Sequence, residues 1–229
     1  MDEEIKSIEK TNTWDLVELP KGQKSIGVKW IYKTKLNKDG GVDKYKARLV
    51  VKGYNQEFGV DYKEVFAPVA RLDTIRLVLA MAAQNFWFIY QLDVKSAFLH
   101  GELKEEVYVD QPLGYVRKGE EDKVYKLKKA LYGLKQAPRA WYSRIDSYLA
   151  KEGFHKCPHE HTLFLKLENG KMLILCLYVD DLIYTGNDEG MVEDFKRKMM
   201  NEFEMSDLGL MHFFLGIEVK QSSVGIFIS

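Results

Sequence analysis

The stretch Leu173-Ile-Leu-Cys-Leu-Tyr-Val-Asp-Asp-Leu-Ile-Tyr-Thr185 places two adjacent carboxylates, Asp180 and Asp181, between two apolar runs. Apolar runs on both sides of so short a polar break indicate a tight β-hairpin with the acids at its tip. Two unit charges about 4 Å apart repel by roughly 4 kcal/mol at an effective dielectric constant near 20, which a divalent cation would offset. The alternative at this point is an ordinary solvated turn, where Asp is common.

A third carboxylate, Asp93, ends another predicted strand, the aromatic-rich run Phe86–Val94, which we expect to be buried on both faces. If this strand neighbours the Asp180–Asp181 hairpin in one sheet, three carboxylates meet at one sheet edge. Such an arrangement suits two divalent ions about 3.5–4 Å apart that clamp an in-line displacement at phosphorus. Oxygen ligands of this kind predict Mg²⁺, with Mn²⁺ as a substitute.

Charge is unevenly distributed along the chain, although 34 basic and 34 acidic residues among 229 give a net charge of zero. Residues 21–52 hold ten basic and two acidic side chains, and residues 123–144 hold seven basic ones and no acid. Basic segments combined with a carboxylate centre are typical of a protein that holds a polyanion and performs metal chemistry on it. Solvated basic faces are the alternative for either segment alone.

Cysteine content and hydropathy indicate the cellular setting. Two cysteines cannot build a disulfide framework, so reducing, intracellular conditions are expected. No apolar stretch reaches about 18 residues, so we expect no transmembrane helix.

Hairpins and helices alternate irregularly along the chain. Strands at 26–36 and 42–51, joined through Asn37-Lys-Asp-Gly-Gly41, form a predicted basic hairpin, because Asp-Gly favours such turns. The other predicted elements are a helix N-capped by Asp73 and ending at Gln84, a helix beginning at Pro138, a helix marked by Val192, Phe195 and Met199, and a terminal hairpin at 212–219 and 224–228. The pattern favours an α+β fold with a mostly antiparallel sheet and helices packed on one face.

Several further segments carry a family resemblance when they are taken together and in order. They are Asn12-Thr-Trp-Asp-Leu-Val17, Lys29-Trp-Ile-Tyr-Lys33, Lys46-Ala-Arg-Leu-Val50, Val65-Phe-Ala-Pro-Val69, Gln91-Leu-Asp-Val-Lys-Ser-Ala-Phe-Leu-His-Gly101, Leu131-Tyr-Gly-Leu-Lys-Gln-Ala-Pro-Arg-Ala-Trp-Tyr142, Tyr178-Val-Asp-Asp181 and Phe214-Leu-Gly-Ile217. Over nearly its whole length the chain resembles the reverse transcriptases of copia-type long-terminal-repeat retrotransposons.

The resemblance implies an RNA-directed DNA polymerase with the fingers and palm of a right hand over residues 1–229. The residues from about 21 to 70 would form a basic fingers hairpin. The residues from about 71 to 229 would form mainly the palm, with further fingers elements. By the same resemblance, Asp93, Asp180 and Asp181 are the catalytic ligands of two Mg²⁺ ions, with the Val94 carbonyl assisting. These groups would activate the primer 3′-hydroxyl and align it with the α-phosphate.

The resemblance also assigns the substrate contacts. The residues implied for the nucleotide are Lys33 or Lys35 and Arg48 on the triphosphate, Phe98 as an aromatic gate that excludes a ribose 2′-hydroxyl, and Gly133, Lys135 and Pro138 beneath the base pair. The residues implied for primer and template are Tyr178, Lys135, Arg139 and a primer-grip hairpin containing Phe213, Phe214, Leu215 and Gly216. For Phe98 a plain core aromatic is the alternative, and for the hairpin an ordinary sheet edge.

The implied partners are a primed RNA or DNA template, deoxynucleoside triphosphates and the remaining Pol regions of a polyprotein, namely RNase H, integrase and protease. The implied setting is a cytoplasmic virus-like particle, without a membrane. Thumb and RNase H sequences are not found in the chain, so a truncated, inactive nucleic-acid-binding remnant is the alternative. A metal-dependent nuclease is a third interpretation.

Overall fold

The computed structural model describes residues 1–37, 39–222 and 224–228, with the side chains of Lys35 and Leu36 outside the description. The chain forms two compact units. The first unit contains residues 1–67 and 98–144, and the second contains residues 68–97 and 145–229.

Helices and strands are mixed, and almost all strand pairs are antiparallel. The α-helices are α1 Asp2–Lys10, α2 Leu72–Gln84, α3 Ala137–Lys151 and α4 Glu189–Glu202. The strands are β1 Trp14–Val17, β2 Ser25–Ile26, β3 Val28–Leu36, β4 Val42–Val51, β5 Ile89–Val94, β6 Glu102–Val109, β7 Val124–Lys129, β8 His155–Lys156, β9 Leu163–Glu168, β10 Lys171–Tyr178, β11 Asp181–Gly186, β12 Met205–Leu210, β13 Phe213–Phe214, β14 Ile217–Ser222 and β15 Gly225–Ile228. The predicted α+β class with mostly antiparallel sheets is confirmed at this level.

The first unit combines a four-stranded sheet in the order β1-β7-β6-β2 with the separate hairpin β3–β4. Trp14 stacks on Tyr125 with ring centroids 4.0 Å apart, and both lie in a core that includes the fully buried Leu49 of the hairpin. The basic hairpin predicted from Asp-Gly is confirmed, with its first strand starting two residues later than expected. Strand β1 was not predicted, because four residues give too short a pattern.

The second unit contains a six-stranded antiparallel sheet in the order β12-β5-β11-β10-β9-β8, with β13, β14 and β15 forming a separate small sheet. Ile183 packs in a cluster with Ile75 and Val78 of α2. Its neighbour Tyr184 lies 5.1 Å from Phe195 of α4, measured between ring centroids. Consecutive residues of a strand point to opposite faces. The two helices therefore cover opposite faces, and the prediction of helices on one face is wrong.

Three predicted element ends also differ from the structure. Arg71 occupies the N-cap position of α2 without a capping hydrogen bond from its side chain. Asp73, the predicted N-cap, lies inside the first turn. Pro138 is the second residue of α3, one position later than predicted. A proline is tolerated there, because the N–H groups of the first turn have no partner within the helix. The strand predicted from Phe86 begins only at Ile89, because Phe86 adopts φ +58° in the turn that ends α2. No helix among the described residues combines the length and apolar composition that crossing a membrane requires.

Candidate active site

The three predicted catalytic carboxylates meet at one end of the second unit's sheet. Asp93 of β5 lies directly opposite Asp181 of β11 in the strand register. Directly opposed residues in antiparallel strands have Cβ atoms about 4.5–5.5 Å apart on the same face. Asp180 lies in the turn before β11, and its carbonyl oxygen accepts a 2.8 Å hydrogen bond from the N–H of Val94. The two strands are therefore fastened together beside the acids.

The turn that carries Asp180 is strained. Tyr178 pairs with Asp181, so Val179 and Asp180 form a two-residue hairpin loop. Val179 has φ +56°, a left-handed conformation that costs a side chain about 1–2 kcal/mol and that Gly usually adopts. Such strain persists only where the surroundings impose it, and here the paired strands on either side do so. The result is a short turn that fixes the direction of the Asp180 backbone.

Electrostatics at this edge are unfavourable in the absence of a cation. Burial raises the pKa of Asp181, and the charges of Asp180 and Asp93 raise it further, while a hydrogen bond from Gln91 Nε2 at 3.3 Å opposes the shift. The three carboxylates thus interact, and they offer the oxygen-only donor set that Mg²⁺ prefers. Across the described ranges, no three His, Cys, Asp or Glu side chains already enclose one point as ligands. The donors fit Mg²⁺ by chemical type, and the strand register places Asp93 opposite Asp181 with Asp180 next to it.

We expect Asp181→Asn to stabilise the metal-free protein at neutral pH. The carboxyl pKa is higher in the folded protein than its ordinary value of 3.8, so ionisation opposes folding. This penalty is absent when the group is protonated in both states and grows as the pH rises above 3.8. Thermal unfolding in EDTA should show a variant that melts a few degrees above wild type at pH 7, with the gap closing towards pH 4. A gap that is constant with pH would contradict this explanation.

Three side chains of the first unit contact one another in a row, with the Phe98 and Tyr132 rings tilted by 53°. The guanidinium carbon of Arg48 lies 4.4 Å from the Tyr132 ring centroid, and the Phe98 ring lies 4.6 Å from the same ring. Cation–π and aromatic contacts of this kind fix the orientation of each partner. Sequence reasoning selected Arg48 and Phe98 but missed Tyr132. No local pattern in the sequence singles out Tyr132, because only folding brings Arg48 and Phe98 to its ring.

The basic hairpin gathers like charges across its strands. Lys33 lies opposite Lys46, and Lys35 lies opposite Lys44 in the backbone register. Like charges directly opposite each other are destabilising, which favours a bound anion beside them. Lys33 is exposed. Lys35 is the alternative lysine for the triphosphate, and its side chain lies outside the described part of the structure.

The segment from Gly133 to Pro138 is held against the rest of the first unit by close backbone contact. A Cβ at Gly133 would lie 2.1 Å from the Val51 carbonyl oxygen, and Gly133 has φ +95°. The Val51 N–H donates a 2.7 Å hydrogen bond to the Tyr132 carbonyl. The Lys135 N–H donates to Gln56 Oε1 at 2.8 Å. Only Gly permits this approach of the backbone at position 133 to the Val51 carbonyl.

Arg139 is engaged within the protein. Its Nη2 lies 3.1 Å from Glu105 Oε1, and the two side chains are 12% and 14% exposed. A template contact by Arg139 would require this nearly buried ion pair to open. Breaking such a pair is costly, so we expect Arg139 to position α3, not to bind the template.

The hairpin predicted as a primer grip is present in the second unit. Phe213 pairs with Glu218 and Phe214 with Ile217, which leaves Leu215 and Gly216 as the loop. Both loop residues have positive φ, at +49° and +84°.

The aromatic residues of this hairpin point in different directions. The Phe213 side chain is 62% exposed, whereas Phe214 is buried. The Phe214 ring lies 6.2 Å from the ring of Tyr178, the residue that ends β10. Phe214 and Tyr178 therefore pack the β13–β14 hairpin against the β10–β11 hairpin. Phe213 and Leu215 are the exposed residues of the β13–β14 hairpin that a ligand could contact.

Comparison with known proteins identifies the relatives of the chain. The model of a family described as reverse transcriptase (RNA-dependent DNA polymerase) matches residues 11–229. The chain is 45% identical over 231 residues to the retrovirus-related Pol polyprotein from transposon RE1 of Arabidopsis thaliana, covering 100% of the chain and 16% of that protein. It is 43% identical over 220 residues to the corresponding polyprotein from transposon TNT 1-94 of Nicotiana tabacum, covering 96% of the chain and 17% of the relative. The chain thus spans about one sixth of the length of these relatives.

Proposed function

Because the chain belongs to the reverse transcriptase (RNA-dependent DNA polymerase) family, we propose that it extends a primer 3′ end with deoxynucleotides along an RNA template. The observation that carries the proposal is the direct opposition of Asp93 and Asp181 in neighbouring strands, with Asp180 in the adjoining turn. We assign the first unit mainly to fingers and the second mainly to palm.

We propose that Asp93, Asp180 and Asp181 hold Mg²⁺, with the Val94 carbonyl as a further ligand. When bound, two such ions lower the pKa of the primer hydroxyl and stabilise charge on the transferring phosphate. Arg48 and Lys33 bind the triphosphate, since a guanidinium grips phosphate oxygens in two places and an ammonium acts as a point charge. Lys35 is the alternative lysine. Phe98, held by Tyr132, excludes the ribose 2′-hydroxyl.

The remaining contacts belong to the nucleic acid. Gly133 and Pro138 shape the surface beneath the base pair, Lys135 meets the template, and Phe213 with Leu215 holds the primer end. The relatives are Pol polyproteins. We therefore propose that the domain acts beside RNase H, integrase and protease regions, inside a cytoplasmic particle.

The test is primer extension on an RNA template with deoxynucleotides and Mg²⁺, or Mn²⁺ in its place. We expect template-directed incorporation that EDTA abolishes. Metal-dependent degradation of the template without incorporation would instead identify a nuclease. Tight binding of primed RNA without extension, under conditions in which a longer relative extends, would identify a non-catalytic binding domain.

A further inference from the structure

An open cavity of about 430 Å³ lies in the second unit, lined by residues around the start of β5 and the end of β11. At this end of the two strands Thr185 pairs with Ile89, whereas Asp181 pairs with Asp93 at the other end. At about 3.3 Å per residue, the two pairings are roughly 13 Å apart along the strands. A molecule held in the cavity therefore leaves the catalytic edge open.

Aromatic rings dominate the lining of the cavity. They belong to Phe86, Trp87, Phe88 and Tyr90. Phe86 is 73% exposed and Phe88 is 40% exposed. Exposed rings gathered in one concave place are typical of a binding site, because apolar area left in water is otherwise unfavourable.

The ring of Phe86 does not serve the stability of the fold. The residue follows the C-cap of α2 with φ +58°, in a Schellman motif in which the Trp87 N–H donates to the Ala82 carbonyl at 2.9 Å. Gly is preferred at this position, because a side chain is strained at such a φ. An exposed ring recovers little of that cost through burial. Strained residues of this kind are typical of functional sites.

The backbone that carries the rings is held in place by the rest of the unit. The buried Thr185 donates from its hydroxyl to the Phe88 carbonyl at 2.9 Å. The side-chain amide of Gln221 accepts from the Ile89 N–H at 2.8 Å and donates to the Ile89 carbonyl at 2.9 Å. Trp87 packs against the core of the unit. The cavity is thus organised before a ligand binds, which lowers the entropic cost of binding.

Carboxylates complete the lining. Glu189 and Glu193 are exposed, line the cavity and lie four residues apart on one face of α4. Burial raises the pKa of the Tyr90 hydroxyl, and the charges of both glutamates raise it further against the opposing charge of Lys196. Lys196 contacts Glu193 at 2.8 Å, whereas Glu189 forms no ion pair with any residue that the structure describes. The cavity therefore keeps a negative charge.

Aromatic rings beside carboxylates select a cation. The face of a ring attracts an ammonium or guanidinium group within about 6 Å of its centroid. A guanidinium also stacks on rings and binds carboxylate oxygens in two places. The same negative charges repel phosphate groups, so a nucleic-acid strand is the wrong ligand for this cavity.

The size of the cavity indicates a ligand larger than one cationic group. Its volume falls within the range of about 300–1,000 Å³ that is usual for pockets holding extended ligands. A peptide segment supplies both a guanidinium group and neighbouring atoms that fill the remaining space.

We propose that this cavity binds an arginine-bearing peptide segment of a partner protein, with the guanidinium group placed between the aromatic rings and the two glutamates. A lysine-bearing segment binds more weakly, since an ammonium group makes neither the stacked nor the forked contact. The inference is independent of the proposed polymerase activity, because it uses none of the residues assigned to metal, nucleotide or primer.

The test compares two blocked pentapeptides of alternating glycine and arginine by isothermal titration calorimetry. In the second peptide citrulline replaces both arginines, which keeps their shape and removes their charge. We expect wild type to bind the arginine peptide about tenfold more tightly than the citrulline peptide. Equal affinity for the two peptides, or binding of neither, would overturn the proposal.

Two variants locate the binding. Phe86→Gly removes the exposed ring and relieves the left-handed strain, so it should melt at or above the temperature of wild type. It should nevertheless bind the two peptides within about twofold of each other. Glu189→Gln should bind the arginine peptide about fivefold more weakly than wild type.

Glu202→Gln is the matched control for the charge. Glu202 is exposed at the last residue of α4, about 20 Å along the helix axis from Glu189. It should keep the affinity of wild type. An equal loss in Glu202→Gln and Glu189→Gln would mean general attraction to an acidic surface and would overturn the proposal, as would a Phe86→Gly variant that keeps the tenfold preference. Self-association of wild type on size-exclusion chromatography that Phe86→Gly abolishes would assign the cavity to a second copy of the chain and equally overturn it.

Discussion

Asp93→Asn is expected to lower the rate of primer extension by at least about 10³-fold, the largest functional effect that we foresee for one substitution. The change keeps the size of the side chain but removes one negative charge from the group that faces Asp181 across the sheet. Metal ions in such sites supply several kcal/mol of charge stabilisation, and each 1.36 kcal/mol is about tenfold in rate. Single-turnover extension with saturating nucleotide and Mg²⁺ measures the effect.

Two further measurements separate lost chemistry from lost folding. In EDTA the variant should melt at or above the temperature of wild type, because one charge of a repelling group is gone. Affinity for primed template should remain within about twofold, since the change does not touch the basic face of the first unit. Asp207→Asn is the control. Asp207 lies in the neighbouring strand β12, where it pairs in register with Leu92 and contacts Lys196 at 3.5 Å. Extension by Asp93→Asn at the rate of this control would refute the assigned site.

The sequence predicted the meeting of Asp93, Asp180 and Asp181 at one sheet edge, because local pattern and strand pairing agree there. Apolar runs around Asp180 and Asp181 define the hairpin, and the pairing of β11 with β5 brings Asp93 opposite Asp181. The resemblance to copia-type polymerases is confirmed by the family match and by the plant relatives. The roles of individual residues stay predictions.

Other parts of the fold depend on contacts between distant segments, which no local pattern reveals. The placement of α2 and α4 on opposite faces of the sheet follows from the chain path, not from the periodicity of either helix. The ion pair of Arg139 with Glu105 joins residues 34 positions apart. Likewise, Tyr132 is an unremarkable aromatic in sequence until folding places Arg48 beside its ring and Phe98 against it.

Gly133→Ala is expected to lower the free energy of unfolding by about 2–4 kcal/mol. The new Cβ would lie 2.1 Å from the Val51 carbonyl oxygen and 2.7 Å from Val50 Cγ1, and backbone cannot yield as a flexible side chain does. Overpacking typically costs 1–3 kcal/mol, and the φ of +95° at this residue adds about 1 kcal/mol more. Thermal unfolding should show a melting temperature lower by roughly 10 °C.

Gly119→Ala separates steric conflict from backbone conformation. Gly119 has φ +82° in the same unit, but nothing lies within 4 Å of its Cβ position. The free energy of unfolding of Gly119→Ala should therefore fall by only about 1 kcal/mol.

The two variants should also differ in function. When the backbone moves to relieve the clash at position 133, the hydrogen bond from the Val51 N–H to the Tyr132 carbonyl must lengthen. This movement displaces the Tyr132 ring, which orients the Arg48 guanidinium. We expect a KM for deoxynucleotide about tenfold higher in Gly133→Ala and unchanged in Gly119→Ala. Equal stability and equal KM in the two variants would mean that the segment adapts freely, and that the fixed position of Tyr132 has no part in nucleotide binding.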